Sequence, residues 1–369
     1  MSNENMLRWG ILGTAEIARK NWKAIRNSGN GIVTAVASRD VGRARRFIGE
    51  CQAQAPFDSV PRALGGYESL LAAKDVDAVY IPLPTGLRKE WVIRAAEAGK
   101  HVICEKPCAN SVPDLREMLA ACRSHGVQFM DGVMFMHSRR LDAIRQMLDG
   151  PDAVGQIRRL AFGFSFGAPE EFFTGNIRAD RSLEPQGCLG DLGWYCIRFA
   201  LWVMRGQLPT GVTGRILSGM GAADGSTAAP SEFSAEMFFD GGVSAGFYCS
   251  FITELQQWAH ISGTKGSVRI GDFVLPDFGN ELTFEVSNPF YRVSGCDFNM
   301  EPNSRRVAVP EYSNSHPSAQ ESNLFRNFTA QVRSAQISGD WSDIALKTQQ
   351  VMDACLASAR AGGGIMPVA

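Results

Sequence analysis

Long apolar runs, basic clusters and paired histidines are all missing from this chain. The most apolar helical stretch, Phe199 to Met204, is bracketed by Arg198 and Arg205. It is far too short to cross a bilayer, so no membrane association is expected. Lysine and arginine total 37 against 38 aspartates and glutamates, a net charge of −1. That balance offers no electrostatic footprint for nucleic acid and no acidic binding arm. The five histidines are scattered, with no HxxxH or HExxH pair, which leaves a metal site without support. The nine cysteines are irregularly placed and contain no CxxC pair; they read as reduced thiols in a cytoplasmic protein. Met1 to Met6 is polar and lacks the basic-then-apolar order of a signal peptide, so no leader is expected.

What is present is the composition of a soluble globular protein, 45% hydrophobic and 20% charged over 369 residues. That length suits two domains. The first half alternates strand and helix. Leu7 to Leu12 reads as a buried strand, and a helix follows to about Arg26. Between them, Gly13–Thr14–Ala15–Glu16–Ile17–Ala18 is a G-x-G-x-x-G variant with alanine in the second and third glycine places. Gly13 makes the tight turn, Ala15 lets backbone approach a pyrophosphate, and Ala18 lets helix pack on strand. The open N–H groups at the helix start favour phosphate.

A second strand, Ile32 to Ala37, runs into Ser38–Arg39–Asp40. An acid at this place serves the ribose of NAD, whereas a basic group serves the 2′-phosphate of NADP. Ser38 and Arg39 favour NADP, since a guanidinium pairs with phosphate and stacks on adenine. Asp40 keeps NAD open, although it also suits the cap of a helix from Val41.

Further along come a short helix from Tyr67, a strand Val76 to Ile81, and the turn Pro82–Leu83–Pro84. Leu87 to Ala98 reads as helix, His101 to Cys104 as a strand, Val112 to His125 as helix and Val127 to Gly132 as a strand. This alternation predicts a doubly wound parallel sheet. Pro107 ends the central strand directly after Glu105 and Lys106. Lys106 therefore belongs at the carboxyl edge of the sheet, where open α/β folds bind ligands. The stiff Pro82–Leu83–Pro84 turn belongs at the same edge and suits the flat nicotinamide ring.

These motifs, in this order and spacing, resemble the Gfo/Idh/MocA oxidoreductase family, whose most specific mark is Glu-Lys-Pro. The resemblance implies that Glu105 and Lys106 lie at the coenzyme, with Lys106 beside the nicotinamide and the reacting carbon. One departure stands out. Where the family usually has Asn and, three residues on, His, this chain has Thr85 and Arg88.

Beyond about Met134 the pattern changes to consecutive strands: Ile157 to Ser165, Val212 to Leu217, Ser234 to Phe239, Val243 to Phe251, Gln257 to Ser262, Ser267 to Ile270 and Leu282 to Val286. Asp240–Gly241 is a hairpin signal between two of them. An α+β domain with a large, mostly antiparallel open sheet is predicted. The expected boundary puts the dinucleotide-binding domain at residues 1–133 and a substrate-binding, oligomer-forming domain at 134–369. Ser287 to Pro317 resists assignment, and helices from Gln320 and Ser342 close the chain.

Within the second half, Asp191–Leu192–Gly193–Trp194–Tyr195 leads into an apolar helix. Four residues apart on a helix, Asp191 and Tyr195 would share a face. An acid and a phenol so placed can orient a hydroxyl and move its proton. The run resembles the tyrosine form of the family's second motif, found in glucose–fructose oxidoreductase and dihydrodiol dehydrogenase. The resemblance implies a catalytic set of Lys106, Asp191 and Tyr195 acting on a sugar, polyol or related secondary alcohol. Either Lys106 or Tyr195 then serves as the acid/base. It also implies a homodimer or homotetramer built through the second-domain sheet. Loop Phe166 to Gln186 is expected over the site, with Arg178 as a substrate contact. Two rival readings share the fold: a glycosidase using bound NAD transiently, and a dinucleotide-binding regulator without catalysis.

Overall fold

Six strands rich in valine, isoleucine and alanine build a parallel sheet at the start of the chain. They are β1 (Leu7–Leu12), β2 (Gly31–Ser38), β3 (Arg62–Gly65), β4 (Ala78–Ile81), β5 (His101–Cys104) and β6 (Phe129–Asp131). Their order is β3-β2-β1-β4-β5-β6, and all neighbours are parallel. The order reverses beside β1, which makes the carboxyl edge of β1 and β4 the ligand crevice of such folds. The computed structural model describes residues 6–150, 153–175, 183–220 and 229–368.

The helices of this region are α1 (Glu16–Ser28), α2 (Val41–Gln54), α3 (Tyr67–Leu71), α4 (Thr85–Glu97) and α5 (Val112–Ser124). Asp40 caps α2 by accepting from the Gly42 N–H at 2.7 Å, and Ser111 caps α5. The strand β3 was not expected from sequence; its four residues have no buried position and carry no apolar run.

The chain clusters into two compact units: residues 1–137, 182–185 and 314–349, and residues 138–181, 186–313 and 350–369. Residues 314–349, read from pattern with the second half, thus cluster with the parallel sheet. The cause is aromatic packing by α9 (Gln320–Arg333). The Phe325 ring meets Trp9 edge-on at 5.2 Å and Tyr80 at 5.9 Å, and Phe328 lies 5.3 Å from Trp9. All four side chains are fully buried.

The second unit contains α6 (Arg139–Asp149), α7 (Glu170–Gly175) and α8 (Trp194–Val203), and α10 (Asp340–Arg360) contributes its later half. Its sheet comprises β7 (Ile157–Ser165), β8 (Gly211–Met220), β9 (Ala229–Phe239), β10 (Val243–Ser250), β11 (Gln256–Gly263), β12 (Ser267–Ile270), β13 (Glu281–Ser287) and β16 (Ser304–Pro310). The order is β16-β13-β12-β11-β7-β10-β9-β8, antiparallel except for the parallel pair β7–β10. A separate exposed hairpin joins β14 (Phe290–Ser294) to β15 (Asp297–Glu301).

Burial alternates along β9 and β10, so one face of the sheet is packed. Phe162, Phe199 and Phe273 pack together within that covered face. Among the described residues no helix is long and apolar enough to cross a membrane.

Candidate active site

The loop after β1 is shaped for close approach. Gly13 has φ +119°, a conformation that side chains resist, and a Cβ there would stand 3.1 Å from Leu83 Cδ2. The next helix is left open at its start. Ala15 at the α1 start provides no side-chain oxygen to cap it. Its first-turn N–H groups and dipole end suit an anion. Thr14, Ala15 and Ile17 are half-buried here, while Glu16 is exposed and pairs with Arg19 at 3.2 Å.

At the end of β2, Ser38 is buried and Arg39 exposed. Asp40 Oδ1 caps α2. Sequence reading missed Tyr67. Its hydroxyl would lie 4.0 Å from a Cβ on Gly13, and its ring meets Trp91 edge-on at 4.9 Å. Burial pushes its phenol up, against the nearby charges of Arg39 and Arg43. Only the positive-φ Gly66 just before it marks the place in sequence.

The carboxyl edges of β4 and β5 carry the two proline turns. Pro82 and Leu83 are buried, and Pro84 and Lys106 half-buried. The Lys106–Pro107 peptide is cis. Glu105 points into a polar knot. Its Oε1 accepts from the Tyr80 hydroxyl at 2.7 Å and from Asn21 Nδ2 at 3.4 Å, and its Oε2 accepts from the Lys106 N–H at 3.2 Å. The side chain of Glu105 thus braces the turn from beneath. Burial, with the neighbouring Glu105 charge, raises the Tyr80 phenol well above its ordinary range.

Arg88, which the sequence marks only as a departure from the family pattern, is 6% exposed. Its Nε donates to Leu83 O at 2.7 Å, and its Nη1 donates to Thr85 Oγ1 at 3.0 Å and to Pro107 O. Thr85 in turn donates its N–H and hydroxyl to the Glu184 carboxylate at 3.0 and 2.6 Å.

In the second unit, Asp191 lies in a π-helical turn, Leu189–Gly193, and not in the α-helix that the four-residue spacing predicts. Such turns recur at functional sites. Tyr195 follows in the first turn of α8, buried, with its ring 5.7 Å from that of Phe164. Gly193 explains the Asp-x-Gly spacing. A Cβ there would stand 2.9 Å from Leu189 Cδ1 and 3.3 Å from the Phe247 ring of β10. The turn holding Asp191 can press on the sheet only because that side chain is missing. Arg178 lies outside the described residues.

Two family models match this chain. "Oxidoreductase family, NAD-binding Rossmann fold" covers residues 7–133 and the "GFO/IDH/MocA C-terminal domain" covers 141–269. The chain belongs to the Gfo/Idh/MocA oxidoreductase family. A trans-1,2-dihydrobenzene-1,2-diol dehydrogenase of Mus musculus is 32% identical over 72% of this chain and 74% of its own length. A dTDP-3,4-didehydro-2,6-dideoxy-alpha-D-glucose 3-reductase of Actinomadura kijaniata is 38% identical over 54% of this chain and 56% of its own. Among solved structures, a 3-ketoreductase of Actinomadura kijaniata in complex with NADP and TDP-benzene superposes with a TM-score of 0.80. It is 26% identical and aligns over 96% of this chain and 98% of its own. The expected Rossmann sheet and mostly antiparallel second sheet are borne out. So, at the level of the family, is NAD(P)-dependent oxidoreductase chemistry. The glycine cradle and uncapped α1 fit the diphosphate such a Gfo/Idh/MocA oxidoreductase must hold.

Proposed function

We propose that this Gfo/Idh/MocA oxidoreductase interconverts a secondary alcohol and its carbonyl on a sugar, polyol or related diol, with NADP as the preferred coenzyme. When bound, the coenzyme supplies the hydride acceptor or donor. The chain supplies position and proton traffic. Gly13, Thr14, Ala15 and the α1 N–H groups hold the diphosphate. Arg39 pairs with the 2′-phosphate, and Ser38 donates its hydroxyl to it. Pro82, Leu83 and Pro84 offer a rigid apolar wall.

Lys106 gives a proton to the carbonyl oxygen in reduction and takes one in oxidation. Asp191 binds substrate hydroxyls, and Tyr195 assists or replaces Lys106 at the same oxygen. One observation carries the choice of NADP. One Asp40 oxygen caps α2, and the Arg39 guanidinium is exposed beside it.

A cytoplasmic home and a homodimer or homotetramer complete the reading. The open face of the second sheet supports assembly. It holds a depression of about 590 Å³ lined by Trp258, His260, Arg269, Glu285 and Arg306. Trp258 is 38% exposed there. The test is a panel of sugars, polyols and diols with NADP and NAD, followed at the absorbance of the reduced nicotinamide. Turnover of a secondary alcohol faster with NADP is expected. No turnover across the panel, or a preference for NAD, overturns the corresponding part.

A further inference from the structure

We infer that Arg88 is a positioning residue: its guanidinium clamps the Pro82–Leu83–Pro84 turn to the Glu105–Lys106–Pro107 turn and so fixes Lys106 relative to Leu83. The inference rests on the reading above, that a nicotinamide coenzyme binds along these turns.

The geometry is specific to arginine. Arg88 is the fourth residue of α4, and helical side chains lean back toward the helix start, where both turns end. One planar fork reaches the carbonyl of Leu83, the hydroxyl of Thr85 and the carbonyl of Pro107. A lysine is a point charge without that fixed fork, so it cannot hold both turns at set angles. A buried cation is tolerated only with hydrogen-bond partners, and here three neutral oxygens, the carbonyls of Leu83 and Pro107 and the Thr85 hydroxyl, accept from Nε and Nη1.

The clamp is itself anchored. Thr85 Oγ1 accepts from Arg88 while donating to Glu184 Oε2, so a carboxylate stands one hydroxyl away from the guanidinium. Gly86 N also donates to Leu183 O at 2.9 Å, docking the same short segment on the α4 start. Glu184, Thr85 and Arg88 thus form one line of contacts from a loop segment to the residue after Lys106. Thr85 and Arg88 are the two places where this chain departs from its family's usual Asn and His. Thr85 and Arg88 interact directly.

Loss of the clamp should therefore affect the nicotinamide half of the coenzyme and spare the adenine half. The test compares wild type, Arg88→Met, Arg88→Lys and Thr85→Val. Each is titrated with NADPH and with 2′-phospho-ADP-ribose, which lacks the nicotinamide, by tryptophan fluorescence. In Arg88→Met the fragment should bind within about twofold of wild type, while the advantage of NADPH over the fragment shrinks roughly threefold or more. Arg88→Lys should restore only part of that advantage, and Thr85→Val should fall between Arg88→Met and wild type.

Single-turnover hydride transfer should slow by about tenfold or more in Arg88→Met, with substrate KM changing less than kcat. An unchanged NADPH advantage in folded Arg88→Met overturns the inference. So does an equal loss for NADPH and fragment. If circular dichroism finds Arg88→Met unfolded, an unchanged advantage in Thr85→Val overturns it instead. Wild-type protein that binds neither NADPH nor NADH removes the coenzyme reading and this inference with it. Wild-type binding with an unaltered Arg88→Met removes this inference alone.

Discussion

The phenol of Tyr80 donates a 2.7 Å hydrogen bond to Glu105, joining the middle of β4 to the acid that precedes Lys106. Asn21 of α1 donates to both, to the Tyr80 oxygen at 2.6 Å and to Glu105 at 3.4 Å. Tyr80→Phe would leave a buried carboxylate short of one donor. A loss of about 1–3 kcal/mol of stability is expected, the usual cost of an unmatched buried acceptor. Urea unfolding of the two proteins checks it, and equal midpoints would show that the knot contributes nothing.

Lys106→Met removes the proposed proton donor but keeps most of the side-chain volume. Hydride transfer in a single turnover should fall by at least ~10²-fold, the scale of general acid–base assistance. If Tyr195→Phe alone produced that loss and Lys106→Met did not, the acid/base role would pass to Tyr195.

Arg39→Ala should weaken NADP binding by roughly 10–100-fold, as expected for a lost charge-assisted contact to phosphate, and change NAD binding little. Parallel titrations with the two coenzymes decide the matter. Equal weakening of both would deny Arg39 any part in reading the 2′-phosphate.

Gly193→Ala puts a methyl where Leu189, Phe247 and Cys249 already stand within 3.4 Å. Overpacking of this kind costs about 1–3 kcal/mol. Shifting the π-turn against β10 to relieve the contacts with Phe247 and Cys249 moves Asp191. A lower thermal midpoint together with a raised KM for the alcohol is expected. A variant with both values unchanged would mean that the turn adapts freely.

Alkaline pH should destabilise the fold. Burial raises the Cys51 thiol from 9.0 to about 11 and the Cys122 thiol from 9.0 to about 12. The folded state therefore keeps protons that the unfolded chain loses. Stability is fully present below pH 9 and declines as pH rises toward 11–12, by up to about 1.4 kcal/mol per pH unit for each such group. Thermal melts between pH 8 and 11 should follow that decline, and Cys122→Ala should lessen it. A flat profile would contradict the protonated thiols.

The site-bearing turns were legible because each breaks a strand with residues that have a backbone reason to be there. Gly13 takes a positive φ, Pro82 and Pro84 stop β4, and Pro107 stops β5. Asp40 could be read as a helix cap for the same local reason. What escaped depends on distant partners. Strand β3 exists because Ala35 to Ser38 of β2 offer it a ladder, and its own residues say little. Helix α9 was visible as a helix, but not its place against Trp9. The roles of Tyr67 and Arg88 appear only once three separate turns meet. The π-turn at Asp191 differs from an α-turn by one residue of hydrogen-bond spacing, which periodicity cannot resolve.

Eight of the nine cysteines are buried, and Cys296 alone is exposed, at the tip of the β14–β15 hairpin beside Gly295. The wild-type chain therefore comes with one accessible address for a maleimide dye. A fluorophore attached there, without any engineered residue, would report by energy transfer whether copies of the enzyme meet in solution.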